Sequence, residues 1–304
     1  MSRQIVVGVD GSLPAERALV WAADAATRDD AQLVIAHGGD VLPKAELALD
    51  GGRDYSRDLL RDAVATAIDV GGTCNVSTVL RQQSPAELLL ELSDGAQMVV
   101  VGTHGAGRIV GALLGSVAYR VAAHARCPVV VVPEGWRAPA TGEARAVAVG
   151  VSGSVSGGDA LEFAFYEAER AGVPLVAVRS WTELDSTRRD VDLVANGNER
   201  LRHEQQELLT GIVEAAWARH PTVEVVTELS SEAVYDALLA AATRADLLVL
   251  GCRHADDHLF SRLGPIASRL LHTSPCPVAV VGHPVAPAKS EPVDNTSAYE
   301  ELLK

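Results

Sequence analysis

Lysine is almost missing from this chain, with Lys44, Lys289 and Lys304 the only three in 304 residues. Positive charge of any kind is scarce: 26 Lys plus Arg against 40 Asp plus Glu leave a net charge of −14. A surface of that sign repels a phosphate backbone, which argues against nucleic acid as a partner. The four cysteines, Cys74, Cys127, Cys252 and Cys276, show no C-x-x-C spacing and no histidine at metal-ligand intervals. They read as small apolar residues at strand ends, reduced in a cytosol, and no metal site is expected. No apolar run approaches the roughly 20 residues that span a bilayer, and no basic-then-apolar segment precedes the first strand. A cytoplasmic protein without a membrane partner is the expectation. A complete Ser-His-Asp set and a Cys-His pair are also missing, so no catalytic residue is assigned.

What the chain has is apolar mass and repetition. At 48% hydrophobic content, 304 residues suffice for two cores of ordinary domain size. The segment Ile5-Val6-Val7-Gly8-Val9-Asp10-Gly11-Ser12 recurs as Val147-Ala148-Val149-Gly150-Val151-Ser152-Gly153-Ser154, an offset of 142. Arg126-Cys127-Pro128-Val129-Val130-Val131 recurs as Pro275-Cys276-Pro277-Val278-Ala279-Val280, an offset of 149. A repeat of this length is a duplicated domain, with seven extra residues in the second copy, placed between Thr182 and Arg219.

Within each copy, short β-rich runs alternate with helical periodicity. In the first, the runs lie at 4–9, 32–37, 74–80, 97–102 and 128–132; in the second, at 146–151, 174–180, 223–229, 246–251 and 277–281. Alternation implies parallel pairing through right-handed crossovers, and runs such as Met98 to Val101 lack the polar alternation of a half-exposed strand. The fold class expected is α/β: two tandem doubly wound, Rossmann-like domains, each with a five-stranded parallel sheet. The first domain is placed at 1–134, a linker at 135–145, the second domain at 146–283, and a disordered, Pro-rich tail at 284–304.

The most specific pattern follows the fourth strand, where glycines fall as Gly102-x2-Gly105-x9-Gly115-Ser116. Backbone amides and a helix N-terminus can converge there on an anion, and Asp10, Gly102 and Gly105 all fall at carboxyl ends of strands, where such a fold binds ligands. Ser116 serves equally as an N-cap or a phosphate contact, and Arg108 as a solvated residue or a phosphate partner. His104 lies between two of the glycines, but no nucleophile or carboxylate at a readable spacing orients it.

These residues resemble the ATP-binding subclass of the universal stress protein family, whose phosphate loop reads G-x2-G-x9-G-[ST]; the first-strand Val9-Asp10-Gly11 and the Cys127-Pro128 strand opening match as well. The resemblance implies an adenine nucleotide alpha hydrolase-like fold and ATP with Mg²⁺ as ligand. Gly8, Val9, Asp10 and Gly11 would lie against adenosine, Gly38 along the adenine pocket, and Gly102, Gly105, Arg108, Gly115, Ser116 and Val117 around the triphosphate. It also implies pairing of the last strands, Pro128 to Val132 and Pro277 to Val281, as an intrachain pseudo-dimer on which a homo-oligomer is built. The function expected is a nucleotide-dependent regulatory switch in stress, read by a protein partner; the alternatives are a ligand-independent scaffold and a slow ATPase.

The second copy departs from the pattern. Asp10 becomes Ser152, Gly105 becomes His254 and Ser116 becomes Pro265, while Asp256 and Asp257 enter the loop. Proline removes an amide donor and the acids oppose a triphosphate, so this copy is expected to have lost family-type ATP binding. Ser152 to Asp159 is similar to the Ser-Gly-Gly-x-Asp-Ser loop of ATP pyrophosphatases but lacks its intervening residue and final serine; a flexible turn capping a helix is expected instead.

Overall fold

The computed structural model describes residues 3–39, 51–72, 75–105, 114–139, 145–152, 154–182, 191–252 and 263–282, without side-chain detail at 51–54, 155–156 and 191–196. Arg108, His254, Asp256, Asp257 and the 284–304 tail lie outside them.

Among the described residues, the first copy runs β1 (Gln4–Gly8), α1 (Leu13–Asp29), β2 (Gln32–Gly38), α2 (Gly51–Gly71), β3 (Val76–Arg81), α3 (Pro85–Leu92), β4 (Met98–Gly102), α4 (Ser116–His124) and β5 (Val129–Val132). The second runs β6 (Val147–Gly150), α5 (Val155–Ala171), β7 (Leu175–Ser180), α6 (Val191–Trp217), β8 (Val225–Ser230), α7 (Val234–Ala242), β9 (Leu247–Cys252), α8 (Pro265–Thr273) and β10 (Val278–Gly282).

The strands form one ten-stranded sheet in the order β3-β2-β1-β4-β5-β10-β9-β6-β7-β8. Each half is parallel, as its helical crossovers require, and the halves meet in the antiparallel pair β5–β10, with Ala279 opposite Val130. Strand order reverses beside β1 and beside β6, which opens a crevice at the carboxyl ends of β1 and β4 and another at those of β6 and β9. Because the halves run antiparallel, these crevices face opposite edges of the sheet.

Strand register locates the insertion. Ile5 pairs with Leu33 as Val147 pairs with Leu175, an offset of 142 at both strands. Leu33 pairs with Val76 as Leu175 pairs with Val225, so the third strand already stands at 149. The seven residues therefore enter between β7 and β8, on the side of the long helix α6.

Alternate strand residues feed two apolar layers. Ile5, Val7, Met98, Val100, Val130 and Ala279 face α1, α2, α5 and α6; Val6, Val99, Val101, Val131, Val278 and Val280 face α3, α4, α7 and α8. Both layers run unbroken across the β5–β10 seam. Helix α1 sits close to the sheet because its buried positions are mostly alanine. It opens at Ser12, whose Oγ accepts from the Ala15 N–H at 3.4 Å, and closes at Asp30 in the left-handed region, φ 49°. The segment read as a linker is anchored: Trp136 is buried in the first layer. Helix α5 begins one residue after its N-cap Ser154, so Gly157 and Gly158 belong to its first turn and not to a flexible loop. A Cβ at Gly157 would come within 2.5 Å of the Ser152 carbonyl oxygen, which is why glycine stands there.

The thiols of Cys127 and Cys276, at equivalent strand openings, are pushed up to about 12 and about 11 by burial, so both stay protonated and unreactive near neutral pH.

A polar cluster ties α1 to α5. Asp29, buried, accepts from Arg170 Nε at 2.7 Å, from Tyr166 Oη at 3.0 Å and from the Gln97 amide. Beside it Glu167 is 4% exposed, and its Oε1 has no hydrogen-bond partner among the described residues. Burial raises its carboxyl from the usual 4.5 to about 7, with Arg28 opposing the shift and Asp29 adding to it. The folded state therefore holds the proton that the unfolded chain releases near pH 4.5. Stability from this group is full below pH 4.5 and is lost as pH rises to about 7. Relative to Glu167→Gln, the wild-type protein should lose up to roughly 3 kcal/mol across that window, measured by urea unfolding. Parallel pH profiles for the two proteins would contradict this account.

Candidate functional site

The carboxyl ends of β1 and β4 and the start of α4 converge in the first copy. Asp10 leaves β1 in a tight turn: its Oδ1 accepts from the Ser12 N–H at 3.0 Å and from the Ser12 hydroxyl at 2.6 Å. Gly11 takes φ +81°, where a side chain would be strained, and a Cβ there would also approach the Tyr55 hydroxyl to 3.0 Å. Asp10 thus organises the entry to α1, the ordinary role of an acid at this position.

Its other oxygen faces the glycine loop. A Cβ on Gly105 would fall against Asp10 Oδ2, so any side chain there would have to displace that carboxylate. Gly102 is likewise required by packing, since a Cβ would fall 2.5 Å from the Pro14 carbonyl carbon at the start of α1. The Gly115 N–H donates to the Thr103 carbonyl at 2.7 Å, and a Cβ there would press on His104 Cα at 3.1 Å. The spaced glycines are therefore close-approach positions that fold the loop back on β1 and α4. Their absent side chains leave backbone as the lining.

Gly115 caps α4 without any side-chain acceptor, and Ser116 is the first helical residue rather than the cap. The N–H groups of Ser116 and Val117 have no acceptor within the helix, so they are available to an anion. The Val117 side chain packs into the second apolar layer. Val9 spends both backbone groups internally, its N–H on the Ala36 carbonyl at 3.0 Å and its carbonyl on His37 Nδ1 at 2.7 Å. Gly8 receives Leu89, and Gly38 abuts the start of α3.

His104 is oriented by a carboxylate, contrary to the expectation from sequence. Its Nε2 lies 3.1 Å from Glu134 Oε2 and its Nδ1 3.1 Å from Thr103 Oγ1. A carboxylate accepts from Nε2–H, which leaves Nδ1 of a neutral ring to accept from Thr103. The signal was positional: Gly102 pairs with Val132, so two residues beyond each strand end brings 104 beside 134. Among the described residues, no group of three or more His, Cys, Asp or Glu is placed to hold a metal ion, and no helix is long and apolar enough to cross a membrane.

A doubly wound α/β unit with a crevice at the strand ends, present twice in one chain, defines the class. The model described as "Universal stress protein family" matches residues 1–133 and 143–282, and the chain belongs to that family. It is 31% identical over 296 residues to universal stress protein Rv2005c of Mycobacterium tuberculosis, spanning 91% of this chain and 96% of that protein. Universal stress protein Rv1996 of the same species is 31% identical over 312 residues, with 93% and 96% covered. The crystal structure of a universal stress protein from Archaeoglobus fulgidus superposes with a TM-score of 0.67 over 93% of this chain and 99% of that one, at 18% identity, which shows the shared fold.

The two glycines at the end of β2 differ in how closely they are packed. A Cβ at Gly38 would lie 2.8 Å from Pro85 Cα, whereas one at Gly39 would meet nothing within 4 Å. Gly38→Ala should cost roughly 1–3 kcal/mol and Gly39→Ala under about 0.5 kcal/mol in thermal unfolding. Equal costs would show that Gly38 is not held by the α3 contact.

Proposed function

We propose that the first copy binds ATP with Mg²⁺ and acts as a nucleotide-dependent regulatory switch in the stress response. The observation that carries this is the closure of the Gly102–Gly105 turn onto Asp10 beside the uncapped N-terminus of α4. Asp10 offers a carboxylate suited to a sugar hydroxyl, and the Ser116 and Val117 amides suit phosphate oxygens. Mg-ATP would supply the triphosphate charge that these amides neutralise. The metal would arrive with the nucleotide, which balances the carboxylates of Asp10 and Glu134 nearby.

The action is binding-led. Ordering of the 102–116 loop by nucleotide is the change that a protein partner reads, and it must favour one loop state to shift the population. The second copy supports the pseudo-dimer without sharing this chemistry, since Pro265 at the first position of α8 has no N–H where Ser116 has one. Two such chains associate further in this scheme. A second reading, slow ATP hydrolysis, is favoured by one observation: the Glu134-oriented His104 in the same loop.

Hydrogen exchange on the full chain tests the switch. Mg-ATP should slow exchange across 102–117 by about tenfold or more and leave 251–266 unchanged. Identical protection with and without nucleotide would sink it.

A further inference from the structure

A cavity of about 620 Å³ opens at the strand ends of the second copy, between β6, β7 and β9 and the starts of α7 and α8. Its walls are apolar: Val151, Val178, Leu238, Leu250, Ile266 and Ala267 line it. The size and lining suit a small organic ligand held by few polar groups. By topology it is the counterpart of the crevice described above, but its polar groups have been exchanged.

Arg179 lines the cavity where the first copy has His37. The two side chains reach equivalent atoms: His37 Nδ1 donates to the Val9 carbonyl at 2.7 Å and Arg179 Nη1 to the Val151 carbonyl at 3.3 Å. Arg179 Nε donates to Gln205 Oε1 at 2.9 Å. Both acceptors are neutral, and among the described residues no carboxylate pairs with this guanidinium. An imidazole has thus been replaced by a permanent cation facing an apolar chamber. Over the same comparison Asp10 has become Ser152, and Pro265 has deleted the helix-terminal amide. Among the described residues the site has lost the acid at the Asp10 position and the amide at the Ser116 position, and gained a fixed positive charge.

We propose that the second copy binds a small carboxylic acid with an apolar body, its carboxylate on Arg179 and its body against Leu238 and Ile266. Charge-assisted hydrogen bonding to Arg179 supplies orientation and the apolar walls supply burial. The ligand is distinct from the nucleotide of the first copy, and because the crevices face opposite edges of the sheet the two do not compete.

The probe is carboxyl-labelled octanoate, titrated into the full-length protein near neutral pH and followed by carbon NMR, with octanol as a neutral analogue of equal length. One octanoate should bind per chain, undisturbed by Mg-ATP. Arg179→Gln should weaken octanoate about tenfold or more while changing octanol little, and Arg179→Lys should recover most of the octanoate affinity. Leu238→Trp, which fills the chamber, should abolish both. No octanoate binding at millimolar concentration, equal affinity in the wild type and Arg179→Gln, or displacement by Mg-ATP would each overturn the proposal. The octanol control shows that the Arg179 variants retain the chamber, so their loss of octanoate cannot be a folding defect.

Discussion

The antiparallel pairing of β5 with β10 is the constraint on which this molecule depends. A five-stranded parallel sheet ending at β5 would present the apolar edge Val129 to Val132 to water, open to pairing with any other strand. Joining that edge to its own repeat closes it within the chain and lets both apolar layers pass through the seam. It also fixes the orientation of the two crevices, because antiparallel halves carry their strand carboxyl ends to opposite edges. The helices next to the seam are then brought close enough for Arg170 and Tyr166 of one copy to reach Asp29 of the other. Glu167 is buried in that contact, an electrostatic cost that apolar packing around it must offset.

Much of the architecture was legible in the sequence because its signals are local. Strands buried on both faces read as uninterrupted Val and Ile, the alternation with helices sets parallel pairing, and a duplication is visible by comparing residue strings. The unequal offsets pointed to the segment that strand register then bracketed. Other features needed three dimensions. Glu134 meets His104 only through the β4–β5 register, thirty positions away. Glu167 falls within a helical pattern that marks no difference between a solvated acid and one buried against a second domain. Trp136 looked like part of a polar linker because a lone aromatic among Pro and Gly residues does not announce the core it fills. Gly157 and Gly158 read as loop residues by propensity, yet they lie in the first turn of α5, where the Gly157 N–H donates to the Ser154 cap.

The glycine pattern shows how a motif and a packing requirement can coincide. Gly102, Gly105 and Gly115 are each explained by close contact with Pro14, Asp10 and His104, with no ligand involved. That same closeness is what lines the crevice with backbone and turns a helix N-terminus toward it. In the second copy the scaffold is retained, with Gly8 and Gly150 each receiving an equivalent leucine, Leu89 and Leu238. Among the described residues the divergence includes the rim, where Ser152, Arg179 and Pro265 stand in place of Asp10, His37 and Ser116. One fold, kept by packing, thus carries two crevices that differ in a few side chains.

The central claim is that the two copies differ in nucleotide binding, and calorimetric titration of nucleotide-stripped protein with Mg-ATP tests it most directly. Gly105→Asp places both a Cβ and a negative charge against Asp10, so it blocks the first crevice alone. The account predicts a single site per chain in the wild type and none in this variant. Two sites, no binding, or binding that survives Gly105→Asp would contradict it.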